Sequence, residues 1–383
     1  MSRTVETLVM PHGVDREFVA EMFPTLSSMT YLNNASTGIP PKPTIDAIKQ
    51  YLDNRTKAIG DLDDTLNILK EVRQLLATIL GGDYSAYGLA PSTSHGLNSI
   101  AHSIDYPEGS NIVLCDLEFP ASYIPWQNLC RLRNLELRVV MSEAGQAPLD
   151  SFREKIDDRT RVVAVSHVQF GSGYKSDLGA LARAVHDVGG YLAADIIQSA
   201  GWADLDLVKD EVDFAAGQSA KWLIGPISAG YVYVRREVMD QITPKFLGWW
   251  GVEDLTEFGY IERTPLPDAR MFQVGSPSVM SYVGLKESLT VINKVPSEIR
   301  ERVALANADH LRKRLTEIDV PFYDYGEKSN STIVSCDLED VESVHKKLVE
   351  AAIHCSPRKG RLRISPHWYN TTKEIDRFIE HLG

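Results

Sequence analysis

The sequence predicts an α/β protein, built on a mainly parallel sheet with helices on both faces and followed by a smaller α+β unit. Three observations carry this. The chain has 383 residues, more than a single apolar core usually organises. Between residues 69 and 236 short apolar runs alternate with amphipathic stretches, the pattern of strands joined by crossover helices. After about Pro267 that alternation gives way to long helical runs with only two short strands.

In chain order, LKEVRQLLATILGG (69 to 82) has helical spacing and ends in a glycine pair, a helix stop. NIVLCDLE (111 to 118), LELRVVM (135 to 141) and RVVAVSHVQ (161 to 169) are strand-like, rich in Val and Ile. LGALARAVHDVGG (178 to 190) repeats the helix and glycine-pair pattern, and GGYLAADIIQ (189 to 198) and SAGYVYVRR (228 to 236) are further strands. Such near-continuous apolar strands belong to a sheet covered on both faces. Beyond Pro267 come the helical run 296 to 318, the strand STIVSCDL (331 to 338), a helix through VESVHKKLVEAAI, the strand GRLRIS (360 to 365) and the helix TKEIDRFIEHL. The expected units are an N-terminal segment 1–28 packing with the small domain, a large domain 29–267 and a small C-terminal domain 268–383.

Composition narrows the function. Hydrophobic content of 43% and charged content of 24% are those of a globular protein, and a net charge of −12 argues against nucleic acid or an anionic membrane as partner. Cys115, Cys130, Cys336 and Cys355 lack zinc-binding spacing and read as reduced thiols; no metal site is expected. The first residues lack the apolar core of a signal peptide and no run is long enough to span a bilayer, so a cytoplasmic location is expected.

From Phe214 to Val234 the one charged side chain is Lys221. In a parallel sheet, ligands bind beyond the carboxyl ends of the strands, and YLAAD places Asp195 at such an end. Alone, Asp195 reads as a cap or ion-pair member and Lys221 as a helix-end charge. Together they suit one chemistry: an amine in an apolar pocket is a nucleophile toward an aldehyde, and a buried carboxylate can hold the protonated ring nitrogen of pyridoxal phosphate. APSTSHGLNSI (90 to 100) offers hydroxyls at a helix start, where Thr93 and Ser94 either cap the helix or hold a phosphate.

These segments, in this order, resemble the class V aminotransferases, fold-type I pyridoxal-phosphate enzymes that include cysteine desulfurases, kynureninases and isopenicillin N epimerase-like proteins. The resemblance runs from YLNNASTG (31 to 38), like the family's YLDNAATG, to RLRISPHWYNT (361 to 371). It implies a mainly parallel seven-stranded sheet with a small C-terminal domain. TSHGLN matches the family's TTEAIN, assigning the phosphate to Thr93 and Ser94. ADIIQSAG matches D-x-x-Q, assigning Asp195 to the ring nitrogen and Gln198 to the ring hydroxyl. SAKWLIGP matches S-x-H-K-W-L-x-G-P, making Lys221 the Schiff-base lysine and general acid/base. FQVGSPS (272 to 278) resembles F-E-x-G-T-P, from which Ser276 reaches the neighbouring subunit's phosphate, implying a homodimer. LRISPHWYNT gives Arg363 the substrate's carboxylate, and Asn34 in YLNNASTG joins the substrate site.

Departures from the family shape the expectation. The usual histidine before the lysine is Ala220 and the usual serine three before it is Gln218, so phosphate contacts there fall to Gln218, Ser219 or main chain. Where desulfurases stack a histidine on the ring from a segment like EHHANIVPW, this chain reads EFPASYIPW (118 to 126), and Phe119 resembles the aromatic cover of the kynureninase and epimerase-like branch. Phe170 replaces a common asparagine in SHVQFGSG (166 to 173), leaving His167 and Gln169 near the ring or substrate. Cys355 falls near a strand start, not on a long loop, which argues against a classical desulfurase thiolate. GWWGVEDLTEFGY (248 to 260) is a candidate pocket wall, with Trp249 and Trp250 equally able to serve a core or a dimer contact.

The expected activity is therefore that of a pyridoxal-phosphate enzyme acting on an amino acid or another small amine, an aminotransferase first, with C–S lyase or epimerase as alternatives. A non-enzymatic member of the fold is the contrasting class, disfavoured by the retained Lys221, Asp195 and Arg363. A nicotinamide dehydrogenase is disfavoured by the lack of a G-x-G-x-x-G turn after the early strands.

Overall fold

The computed structural model describes residues 9–10, 13–259 and 262–382. Helices α1 (Arg16–Met22), α2 (Lys42–Thr56) and α3 (Leu62–Leu80) precede the main sheet. Its strands are β1 (Tyr87–Ala90), β2 (Asn111–Cys115), β3 (Glu136–Val140), β4 (Thr160–Ser166), β5 (Tyr191–Asp195), β6 (Phe214–Gln218) and β7 (Gly230–Val234). They lie side by side in the order β1-β7-β6-β5-β4-β2-β3. Strands β2 to β6 are mutually parallel, and β7 runs antiparallel to both β6 and β1.

Helices α4 (Thr93–Ser103) and α5 (Pro120–Arg133) cover one face of this sheet; α3, α7 (Leu178–His186) and α8 (Val279–Asn293) cover the other, with the short α6 (Leu149–Arg153) beside α7. Strand period two sorts the side chains between the two cores. Val162, Ala164, Tyr191, Ala193, Phe214 and Ala216 pack with α4 and α5, while Val163, Val165, Leu192, Ala194 and Ala215 pack with the opposite layer. The same parity puts Ser166, Asp195 and Gln218 on the α4/α5 face at the strand ends and turns His167, one residue further, to the other face.

Three strands of the sheet, β1 (YGLA), β5 (YLAAD) and β6 (FAAGQ), contain no β-branched residue, unlike the other four. Close packing explains the small residues of β1 and β6: a Cβ on Gly88 of β1 would lie 2.1 Å from the Ala269 carbonyl oxygen, and β6 lies under α4. A Cβ on Gly96 of α4 would lie 2.8 Å from a Val232 methyl and 3.0 Å from the Ala216 Cβ, so this helix sits too near the sheet for larger side chains. The close approach carries the N-terminus of α4 to the strand ends.

The C-terminal unit contains α9 (Ser297–Glu317), α10 (Val341–Glu350), α11 (Thr372–Glu380) and an antiparallel sheet of β8 (Val334–Cys336), β9 (Ser356–Arg358) and β10 (Arg361–Ile364), ordered β8-β10-β9. Its core holds Leu311, Leu315, Leu348, Leu362, Ile375 and Phe378. The change of pattern after Pro267 does not coincide with the change of core. Ala269, Met271 and Phe272 pack with α4 and α5, and Tyr282, Leu285 and Leu289 of α8 with α3. Sequence alternation stops because this stretch is helical, although it still covers the main sheet. Of segment 1–28, residues 1–8, 11 and 12 lie outside the described residues; further on, Phe23 packs on Trp368 and Tyr369, and Arg16 Nη1 donates to the Tyr369 carbonyl over 2.6 Å.

Candidate active site

Lys221 follows β6 in a tight turn that three other segments hold. Gly38 N–H donates to the Ala220 carbonyl over 2.8 Å, and a Cβ on Gly38 would lie 2.0 Å from the Lys221 carbonyl oxygen. A Cβ on Gly201, which has φ +115, would lie 2.3 Å from the Trp222 carbonyl oxygen. Only glycine allows both backbones so near. His367 completes the clamp: the Trp368 N–H donates to Nδ1, which leaves Nε2 to donate to the Trp222 carbonyl over 3.0 Å. Burial and the nearby Arg363 and Arg358 pull the Lys221 amine down to about 8, with Asp195 opposing them.

Asp195 ends β5, nearly inaccessible at 3% exposure. Ser122 Oγ in the first turn of α5 donates to its Oδ2 over 2.5 Å, and the Ile197 N–H to its Oδ1 over 2.9 Å. Burial raises its pKa, while these donors and Lys221 pull it back toward the ionised form. Ser122 escapes the sequence reading; its signal is position, one helical turn beyond Phe119. Gln198 donates through Nε2 to the Ala35 carbonyl over 3.0 Å and accepts at Oε1 from Trp222 Nε1 over 2.8 Å, linking the 31–38 segment to the lysine turn.

Ala90 at the end of β1 and Gln218 at the end of β6 both lie opposite Gly230, which sets the start of α4 beside the lysine turn. Ser92 caps α4 by accepting from the His95 N–H over 3.1 Å. The capping task thus falls to Ser92, and the buried Thr93 Oγ1 has no hydrogen-bond partner. A buried hydroxyl without a partner is costly unless something else satisfies it, and at a helix N-terminus that something is an anion. Ser94 is exposed at the same end and Gln218 is half-buried. Ser219 is engaged elsewhere, donating to the Pro226 carbonyl over 2.5 Å. Ser276 is exposed on the loop before α8.

Arg363, on β10, is 1% exposed and has no carboxylate partner among the described residues. It donates to the Phe170 carbonyl (2.7 Å), Ser36 Oγ (2.6 Å) and Ser356 Oγ (3.3 Å), and burial together with Arg358 lowers it to about 9. Between it and the lysine stands an aromatic wall: the Phe119 ring centroid lies 5.6 Å from Lys221 Nζ and packs edge-on to Phe170 at 5.0 Å. Asn34 faces away from this space, donating to the Ser365 carbonyl (2.9 Å) and accepting from the Tyr369 hydroxyl (2.5 Å); Ser36, two residues on, is the one that meets Arg363. His167 lines a separate cavity of about 650 Å³ on the opposite face with Lys175, Asp177 and Glu301, held neutral by burial at a pKa of about 3. Gln169 donates to Glu118 Oε1 over 2.8 Å, within a buried cluster that also ties Glu118 to Ser166. Trp250 is core, whereas Trp249 is 48% exposed. Cys355 is buried and its thiol pushed up to about 12.

A family model, aminotransferase class-V, matches residues 30–378. The chain belongs to the class-V aminotransferase family. An uncharacterized aminotransferase of Bacillus subtilis is 28% identical over 95% of this chain and 96% of its own. A probable cysteine desulfurase of Methanothermobacter thermautotrophicus is 26% identical over 96% of this chain and 97% of its own. Among solved structures, the apo cysteine desulfurase of Thermococcus onnurineus superposes with a TM-score of 0.86 at 24% identity over 95% of this chain and 96% of that one, which shows the shared fold. Class-V members are pyridoxal-phosphate enzymes. The residues present fit that group: an unpartnered hydroxyl at a helix N-terminus for the phosphate, an amine of depressed pKa, and a buried, oriented carboxylate.

Proposed function

We propose that this class-V enzyme transfers the amino group of a small amino acid, with Lys221 as its covalent and proton-moving residue. The observation that carries the reading is the convergence of an amine near pKa 8, a buried carboxylate and a buried guanidinium without an acid partner at one end of the sheet. Bound pyridoxal phosphate supplies an electron sink that acidifies the substrate's α-carbon. Thr93, Ser94 and the start of α4 would hold its phosphate, with Gln218 beside them. Asp195, oriented by Ser122 and the Ile197 N–H, holds a proton at the ring nitrogen. Phe119 would cover the ring, Arg363 would grip the α-carboxylate through two N–H donors, and Lys221 Nζ would move the proton at the α-carbon. Ser276 completes the phosphate site of a second copy, so the working unit is a homodimer. Four buried, unpaired cysteines suit a cytoplasmic setting.

C–S lyase chemistry is the second reading, favoured by relatives named cysteine desulfurase. In that case sulfur leaves on a small molecule, because all four cysteines are buried. Product analysis of the reconstituted protein with a panel of amino acids decides. Stoichiometric keto acid without free ammonia supports amino transfer, whereas pyruvate, ammonia and released thiol support the lyase. Lys221→Ala abolishes either; a fully active variant overturns the assignment.

A further inference from the structure

The β9–β10 hairpin at the mouth of the site concentrates positive charge that the fold does not use. Arg358 and Arg361 stand directly opposite each other across the hairpin, and Arg363 lies two residues further on the same face. Like charges in such a cross-strand pair are destabilising. Lys359 at the turn adds a second cost, a non-glycine residue at φ +51. Only Arg361 is neutralised: it pairs with Asp337 over 3.0 Å and stacks on Tyr323 at 4.0 Å. Neither Arg358 nor Arg363 has a carboxylate partner among the described residues.

These two guanidinium groups converge on one hydroxyl. Ser36 Oγ accepts from Arg363 Nη2 over 2.6 Å and from Arg358 Nη2 over 3.2 Å, so the two nitrogens are no further apart than two hydrogen bonds end to end. Arg358 is exposed and Arg363 buried, which orders them from mouth to interior. Beside them Lys359 Nζ lies 5.2 Å from the Phe170 ring centroid, and Phe170 abuts Phe119 over the lysine. Both arginines push Lys221 toward its neutral form, and among the described residues Asp195 is the carboxylate acting against them. One α-carboxylate balances Arg363 and leaves Arg358 and Lys359 unmatched in a protein whose net charge is −12.

We propose that Arg358, placed beside Arg363 through Ser36, is a specificity residue that selects amino acids whose side chains end in a second anionic group. The inference rests on the reading of Arg363 as the α-carboxylate site. A carboxylate at two neighbouring guanidinium groups gains charge-assisted hydrogen bonds that a neutral amide of the same shape does not. Dicarboxylates should therefore bind without any reaction.

Calorimetric titration of the reconstituted protein with succinate and with its half-amide succinamate, which keeps one carboxylate and replaces the other by a neutral amide, tests this. Succinate is expected to bind about tenfold tighter than succinamate. Arg358→Gln should erase that preference while leaving succinamate within about twofold, and Lys359→Gln should reduce it by less. Equal binding of the two ligands to the unaltered protein, or an equal loss of both in Arg358→Gln, overturns the proposal. Failure of the protein to take up pyridoxal phosphate in a borohydride-sensitive form would instead sink the proposed function, and the succinate comparison would then be made on the cofactor-free protein.

Discussion

Lys221 has a depressed pKa chiefly because its turn, packed by Gly38, Gly201 and His367, buries the amine; Asp195 opposes that shift, and Arg363 and Arg358 add to it. With a value of about 8, roughly a tenth of the amine is neutral at pH 7, against a few parts in ten thousand for an ordinary lysine. The sign follows: the folded-state pKa is lowered, so the nucleophilic form grows as pH rises through 8 and is complete well below pH 10. The rate at which cofactor-free protein captures pyridoxal phosphate, followed by absorbance, should rise with a midpoint near 8; a rate still climbing at pH 10 would show an ordinary amine. Thr93 offers a test of opposite signs. Its buried hydroxyl lacks a partner, so Thr93→Val should leave the cofactor-free protein as stable or about 1 kcal/mol more stable in thermal unfolding. The same change should weaken pyridoxal-phosphate binding about tenfold in equilibrium dialysis. Loss of both stability and affinity would mean that the hydroxyl serves the fold.

At the scale of elements, the lysine turn is a joint among the 31–38 segment, the turn after β5, the turn after β6 and the 363–370 segment. Gly38→Ala sets a Cβ against the Lys221 carbonyl, and backbone on both sides must move. We expect a loss of about 2 kcal/mol or more of stability by denaturant titration, with cofactor capture impaired in the protein that still folds. An unchanged midpoint would show that the contact is looser than the geometry states. Strands β2, β4 and β7 are legible because their Val, Ile and Tyr runs report burial on both faces, β3 by the Val pair of a partly exposed edge strand, and β5 because its apolar YLAA run ends in an acid. Strands β1 and β6 are not, because small residues replace the usual signal where α4 presses on β6 and the Ala269 carbonyl on Gly88 of β1. Lys221, Asp195 and Thr93 stand out in sequence because a lone charge in an apolar run, an acid at a strand end and hydroxyls at a helix start are local features. Ser122 and Ser36 do not, since each acts on a residue far along the chain. His167 shows the converse limit: as a type it suits catalysis, but the strand parity that puts Ser166 on the Asp195 side turns it to the other cavity.

For the whole molecule, one surface is too apolar to be left to water. Phe246 (50% exposed), Leu247 (40%), Trp249 (48%) and Phe258 (84%) crowd the segment between β7 and α8. Leu247, Trp249 and Phe258 line one cavity, with Val252 and Leu255 beneath them. A cluster of large exposed aromatics marks an interface, because each ring left in water forgoes about 1.5 to 3 kcal/mol of burial. Ser276, exposed on the loop that follows, is the residue proposed to reach the cofactor phosphate of a second copy. If one surface joins the copies and the adjoining loop completes the phosphate site, dimer and cofactor affinity must fall together. Phe258→Asp should shift the mass measured by sedimentation from dimer toward monomer and weaken pyridoxal-phosphate binding in the same concentration range, while Ser276→Ala should weaken binding and leave the dimer intact. A monomeric Phe258→Asp protein that binds the cofactor as tightly as the parent would separate the two and show that each chain builds its phosphate site alone.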